Sequence, residues 1–202
     1  MSRNLRYTIR VLTVLLVLCG AALLVLSLRP ARIENSPPAP LAAAPDQNAG
    51  ALTLGQFTPA PDKLPAPAVA FTTRDGAAKQ LADFKGRFVL VNLWATWCGP
   101  CVQEMPALDR LQQKLGDKLT VLAISEDRQG DTAVAPFLAQ HNIKNLAIYL
   151  DPKSAATNAF GVQGLPTTYL IAPDGTILGK EEGGAEWDEP AMVATLGKYI
   201  GQ

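Results

Sequence analysis

Three cysteines and one histidine are all that 202 residues offer as soft metal ligands. That scarcity excludes multi-site zinc scaffolds and the disulfide-dense frameworks of small secreted domains. An excess of one charge is missing as well: 18 Lys+Arg stand against 18 Asp+Glu, with no basic block. Nucleic-acid binding rests on neutralising phosphates, so no nucleic-acid partner is expected. There is no internal repeat, no collagen period and no sustained heptad. What the chain has in plenty is apolar side chain, 48% of residues, and the excess is local.

It sits at the front. Val11 to Leu28 (VLTVLLVLCGAALLVLSL) runs 18 residues without a charge. As a helix it would span roughly 27 Å, close to the hydrocarbon thickness of a bilayer. Arg3, Arg6 and Arg10 precede it and Arg29 and Arg32 follow, which favours a cytoplasmic N-terminus by a small margin. A cleaved signal peptide needs a small-x-small site directly after the apolar run. Ser27-Leu28-Arg29 does not supply one, and Ala42-Ala43-Ala44 lies too far downstream. A lipidated Cys19 would need a small residue before it, where Leu18 stands. The expectation is an uncleaved single-pass anchor over residues 11–28, with residues 1–10 cytoplasmic.

Between Pro30 and Pro67 the composition changes, and nine of the 16 prolines lie here among alanines. Such a stretch buries too little side chain to offset its ordering entropy, and proline favours an extended spacer. Residues 29–61 are therefore expected to be a linker, with one domain over residues 62–202.

That domain reads as alternating elements. An Asp-Gly turn at Asp75-Gly76 joins Phe71–Thr73 to Ala77–Gln80 as a hairpin. Phe88–Trp94 (FVLVNLW) is apolar except for Asn92, as a buried central strand should be. Leucines at 108, 111 and 115 place a helix over Pro106–Leu115. Leu119–Ile124, Leu146–Leu150, Thr167–Ile171 and Thr176–Gly179 read as strands. Thr132–Gln140, Lys153–Phe160 and Glu189–Ile200 read as helices. The order βαβ, helix-strand-helix, ββα predicts a mixed α/β sheet, parallel in front, antiparallel at the back and covered on both faces.

The chemistry concentrates at Trp97-Cys98-Gly99-Pro100-Cys101. It follows the expected central strand and opens a helix. Cys98 would lie at the helix N-terminus, where the dipole and unpaired N–H groups favour the thiolate, the attacking species in disulfide exchange. Cys101, one turn on, would resolve the mixed disulfide. Pro100 suits the first turn, where a missing N–H costs nothing. Zinc would need a second ligand pair, and the domain adds only His141. A static disulfide closing so short a loop stabilises little. Cu(I) on the two thiolates needs no further residue and stays open.

These residues carry a resemblance. Trp-Cys-Gly-Pro-Cys after Val91-Asn92-Leu93-Trp94-Ala95-Thr96 is the thioredoxin-type signature. The block from Leu81 to Pro106, with Glu104-Met105-Pro106, is similar to the TlpA-like branch of membrane-anchored thioredoxins, which includes the ResA type and cytochrome c maturation reductases. The resemblance spans about Leu64 to Ile200. It implies a thioredoxin fold with an N-terminal β-hairpin and a central helix-strand insertion, matching Thr132–Leu150. It also implies a redox-active Cys98–Cys101 disulfide with no other cofactor, and thiol:disulfide exchange on the periplasmic side of the bacterial inner membrane. A peroxidase would carry a proline seven residues before the first cysteine, where Val91 stands.

In the family a cis-proline precedes a strand and faces the CxxC, and Gly164-Leu165-Pro166-Thr167-Thr168 matches that place. Pro166 would thus leave the Leu165 backbone free to pair with an extended client segment. The acid matching Glu104 tunes the thiols in ResA-type relatives. Here Glu104 reads either as a general base for Cys101 or as an exposed acid favoured by the helix dipole. Cytosolic thioredoxins place a buried aspartate where this chain has Asn92, and Glu104, or a water reached through it, is the expected substitute. Glu126, at the C-terminal edge of the sheet, is a weaker candidate. Trp97 is expected to shield Cys98 and offer a contact surface, and Trp94 to pack in the core. His141 has no expected catalytic part.

Gly99-Pro100 is the dipeptide of reducing thioredoxins, whose potential is about −270 mV, against about −120 mV for the oxidant DsbA. A reductant is therefore expected. The resemblance implies client proteins with disulfides and a transmembrane electron donor of the DsbD/CcdA type. The clients would be apocytochrome c or copper-site proteins of oxidase assembly. Gly184-Ala185-Glu186-Trp187 resembles TlpA more than the cytochrome-maturation members. A Cu(I) metallochaperone and a disulfide donor are the competing readings.

Overall fold

The structure, a computed structural model, describes residues 57–201. The anchor expected over 11–28, the Arg-bearing segment before it and most of the linker lie outside the described residues.

Eight strands form one sheet. They are β1 (Thr58–Pro59), β2 (Ala70–Thr73), β3 (Ala78–Gln80), β4 (Val89–Trp94), β5 (Thr120–Ser125), β6 (Ala147–Leu150), β7 (Thr167–Ile171) and β8 (Ile177–Glu182). Four helices accompany them: α1 (Gly99–Leu115), α2 (Asp131–Gln140), α3 (Ala155–Phe160) and α4 (Pro190–Ile200). The strand order is β1-β8-β7-β4-β5-β6-β2-β3. β4, β5 and β6 run parallel, and every other pair is antiparallel. The parallel front and antiparallel back expected from element order are both present, as are the hairpin and the α2–β6 insertion.

β4 is buried along its whole length between β5 and β7. Its alternate residues serve two cores, as the pleat requires. Leu90 and Trp94 face α1, α2 and α4, packing with Leu108, Phe137 and Leu196. Val91 and Leu93 face the opposite side with Ile124, Ala156 of α3 and Phe71 of the hairpin. Two polar side chains, buried Asp109 and half-buried Gln112, tie α1 to the parallel half. Asp109 accepts from the backbone N–H groups of Lys144 (2.9 Å), Asn145 (2.6 Å) and Leu146 (3.2 Å), holding the loop that enters β6. Gln112 accepts from Val121 N–H at 2.6 Å and donates to the Leu119 carbonyl at 3.0 Å, setting where β5 begins.

α1 starts at Gly99, directly after Cys98, as the dithiol and Pro100 led one to expect, and Pro106 lies inside it; the proline removes one helical donor, but the buried stripe from Cys101 through Met105 to Leu111 keeps the helix continuous. Two boundaries differ from the sequence expectation. β8 extends past Gly179 to Glu182. The sheet begins before Asp62: Thr58 and Pro59, placed by composition in the linker, pair with Lys180 and Gly179. Proline is tolerated on an edge strand, so a Pro-rich composition conceals this one. Phe57 packs edge-on against Tyr199 of α4, with ring centroids 5.5 Å apart. Gly179 makes room for this edge, because a Cβ there would lie 2.5 Å from the Phe57 ring and 2.7 Å from the Thr58 carbonyl oxygen. Gly179→Ala is expected to cost ~1–3 kcal/mol of unfolding free energy in urea titration, the usual range for overpacking. An unchanged midpoint would show that β1 is not seated on β8.

Candidate active site

β4 ends at Trp94, and a three-residue turn delivers Cys98 as the N-cap of α1. Cys98 has extended backbone angles (φ −89°, ψ 107°), and its Sγ accepts from the Cys101 N–H at 3.3 Å. Pro100 occupies the first turn, as expected. Cys98 and Cys101 form a disulfide with Cα atoms 5.2 Å apart. The two sulfurs are not equivalent. Cys98 keeps 6% of its surface exposed, whereas Cys101 is fully buried. Cys98 is the sulfur a client can reach, and it alone sits where backbone N–H groups and the helix dipole stabilise negative charge.

Glu104, one turn beyond Cys101 on the buried face of α1, has no exposed surface. The exposed-acid reading is therefore overturned. Three donors meet its carboxylate: Asn92 Nδ2 at 2.7 Å on Oε1, and Ala185 N–H at 3.0 Å and Trp187 Nε1 at 2.8 Å on Oε2. Asn92 Nδ2 also reaches Thr168 Oγ1 on β7 at 2.9 Å. Burial pushes the Glu104 pKa up to about 7; the three hydrogen bonds hold it down, and Glu181 on β8 adds repulsion. A carboxyl in that range exchanges a proton near neutrality. Asn92, which cannot itself be a base, instead donates to the residue that can. Sequence reading named Ala185 and Trp187 only for a family likeness and missed their contact with Glu104. A fully buried tryptophan needs a partner for its indole N–H, but nothing in the sequence says which acid provides it.

Leu165–Pro166 is the one cis peptide bond among the described residues. Thr167 Oγ1 bonds the Gly164 carbonyl at 2.8 Å and Gly183 N–H bonds the Pro166 carbonyl at 2.9 Å, fixing the loop ahead of β7. Gly164 and Leu165 form one wall of a cavity of about 730 Å³ whose other wall carries Thr96 and Trp97. Trp97 is 70% exposed beside Cys98 and does not pack in the core. Glu126 lies on the same cavity, accepts from the Thr157 hydroxyl, and has its pKa raised by burial. The structure thus brings Cys98, Trp97, Leu165 and Glu126 to one end of the sheet. It leaves His141 stacked on Phe137 at 4.4 Å and Trp94 in the core against the same ring at 5.0 Å.

The comparisons with known proteins agree with this geometry. Residues 60–196 match the Redoxin family. Thiol-disulfide oxidoreductase ResA of Bacillus cereus (strain ATCC 10987 / NRS 248) is 35% identical over 119 residues, 58% of this chain and 68% of that one. Thiol:disulfide interchange protein CycY of Rhizobium leguminosarum bv. viciae is 38% identical over 125 residues, 59% of this chain and 66% of that one. The chain thus spans about two thirds of the length of these relatives. A thiol:disulfide interchange protein DsbE from Chlorobium tepidum superposes with a TM-score of 0.57 at 33% identity, covering 67% of this chain and 92% of that one. The family match runs through the dithiol, the buried acid and the cis-proline alike, and the chain belongs to the Redoxin family as a thiol:disulfide oxidoreductase of the TlpA/ResA type.

Proposed function

We propose that this oxidoreductase is a dithiol reductant of client protein disulfides, tethered by residues 11–28 to the bacterial inner membrane with its domain on the periplasmic side. The observation that carries the reductant reading is the pairing of an accessible Cys98 with a buried Cys101 one turn from a buried carboxyl whose pKa lies near 7. The Cys98 thiolate attacks a client disulfide; one client sulfur leaves as a thiolate and takes a proton from water. The Glu104 carboxylate then accepts the Cys101 proton. Cys101 sulfur attacks Cys98 Sγ, the second client sulfur leaves as a thiolate that takes up the proton Glu104 releases through water, and the Cys98–Cys101 disulfide is formed. Two electrons pass to the client, its two sulfurs end as thiols, and no cofactor beyond the cysteine pair is needed. An extended client segment would lie in the cavity between Trp97 and Leu165.

Recharging the disulfide in an oxidising compartment calls for electrons from inside, which a transmembrane donor of the DsbD/CcdA type would pass. The likeness to ResA and the cytochrome-maturation reductases supports clients in respiratory cytochrome biogenesis, with copper-centre assembly favoured by Gly184–Trp187. Gly99-Pro100 supports the reducing direction.

Two measurements test this reading. The full chain in detergent should equilibrate with dithiothreitol at a potential near or below about −270 mV, and Cys101→Ser should accumulate mixed disulfides through Cys98. A potential near about −120 mV would make the protein a disulfide donor. Stoichiometric Cu(I) binding with no trapped client would favour a metallochaperone.

The second concerns Glu104. Its pKa is about 7 in the fold against an ordinary 4.5. Between those values the folded state keeps a proton that the unfolded chain has released, so stability falls as pH rises through this window and levels off above it. The drop attributable to this group is on the order of 3 kcal/mol. Glu104→Gln should flatten that slope in urea unfolding at pH 5 and 8. It should also remove the rise in mixed-disulfide resolution centred near pH 7. A resolution profile unchanged by the substitution would remove Glu104 as the base.

A further inference from the structure

In the turn between β4 and α1, Ala95 and Cys98 pack into the core while Thr96 is half-buried. Trp97 points into solvent, and the only backbone bond within the turn is Cys98 N–H to the Ala95 carbonyl at 3.2 Å. Yet this turn decides whether Cys98 Sγ lies on the amides of α1. Beyond that packing, its outside polar restraint comes from one side chain. Asp127, two residues beyond β5 and 4% exposed, accepts from the Thr96 N–H at 2.9 Å on Oδ2 and from the Thr96 hydroxyl at 2.7 Å on Oδ1. Ser125 braces it from the last position of β5: its hydroxyl donates to Oδ2 at 2.8 Å and accepts from the Asp127 N–H at 3.1 Å. The residue between them, Glu126, continues the β4–β5 pairing through its N–H to the Trp94 carbonyl at 2.9 Å. Asp127 therefore stands on the edge of a rigid parallel pair and grips the centre of the active-site turn with two charge-assisted bonds, the stronger class of hydrogen bond.

We propose that Asp127 is a positioning residue for exchange: through Thr96 it holds Cys98 at the N-terminus of α1 while the disulfide is open. In the oxidised protein the covalent link to Cys101 fixes Cys98 in any case. Once reduced, that link is gone, and the Asp127–Thr96 grip is the polar restraint left on the middle of the turn. A turn free to move takes Sγ off the amides, and the thiolate loses the helix-terminus stabilisation. The same loss weakens the reduced form relative to the disulfide, so the potential falls.

The test uses the full chain in detergent with Cys101→Ser, and reads the pH dependence of iodoacetamide alkylation on the Cys98 peptide by mass, apart from the Cys19 peptide. Thr96→Val keeps the Asp127 charge but removes one bond; it should raise the Cys98 titration midpoint by roughly half a unit to one unit. Thr96→Ser, which keeps the hydroxyl, should restore it. Asp127→Ala should raise it at least as far. In the chain with both cysteines, Thr96→Val and Asp127→Ala should lower the potential. If Asp127 acted only through its charge, Asp127→Ala would lower the midpoint and Thr96→Val would leave it unmoved. A merely structural role would reduce the melting temperature with midpoint and potential unmoved. Either of those results overturns the proposal, and the Thr96 pair decides it even where Asp127→Ala does not fold.

Discussion

A carboxyl group with no contact with water sets the terms for the rest of this site. Burying a charge is costly unless donors meet it, and Glu104 is met by three, from β4 and from the segment ahead of α4. Each donor is itself positioned by something else: Asn92 by the β4 ladder and Thr168, Ala185 and Trp187 by the chain returning from β8. The network therefore joins elements far apart in sequence around the helix that carries the dithiol. Desolvation still prevails over the hydrogen bonds, which leaves the carboxyl near 7 rather than in the ordinary carboxylate range. A better-solvated acid would be a fixed anion at neutral pH, and a less-bonded one would stay protonated throughout. Neither would titrate in the physiological range.

The accessible half of the site follows a different logic. Cys98 is presented by the end of a central strand and the start of a helix, where exposed N–H groups meet incoming sulfur. Trp97 and the Gly164–Leu165 backbone face each other across a cavity beside it. The more exposed sulfur and the cavity thus lie at the sheet's C-terminal end, and the buried carboxyl in the layer beneath α1. The division leaves one sulfur at the surface while the other stays dry.

Much of this was legible in sequence. Continuous apolar runs at Phe88–Trp94 and Leu119–Ile124 read correctly as central parallel strands, because strands buried on both faces have no polar alternation. The Asp-Gly and Pro-Asp-Gly signals placed the two antiparallel connections. The signature Trp97–Cys101 and the position of Pro166 identified the exchange chemistry. The short β1 was not legible, since its residues resemble linker and its pairing depends on Gly179, some 120 residues away. The start of α1 was legible at the dithiol and Pro100, whereas the continuity of the helix through Pro106 rests on tertiary packing.

Sequence by itself determined the cysteine pair and the alternation of elements, because each is a local property, spacing of cysteines and periodicity of apolar residues, while the place of the cis-proline came from the family resemblance. The tertiary structure decided the protonation of Glu104, the partnership of Asn92 and Trp187 with it, the grip of Asp127 on Thr96, and the cavity shared by Trp97 and Leu165. These depend on distance between residues separated by up to 83 positions, and on how much water their packing excludes. Neither quantity is written in a local pattern of residue types.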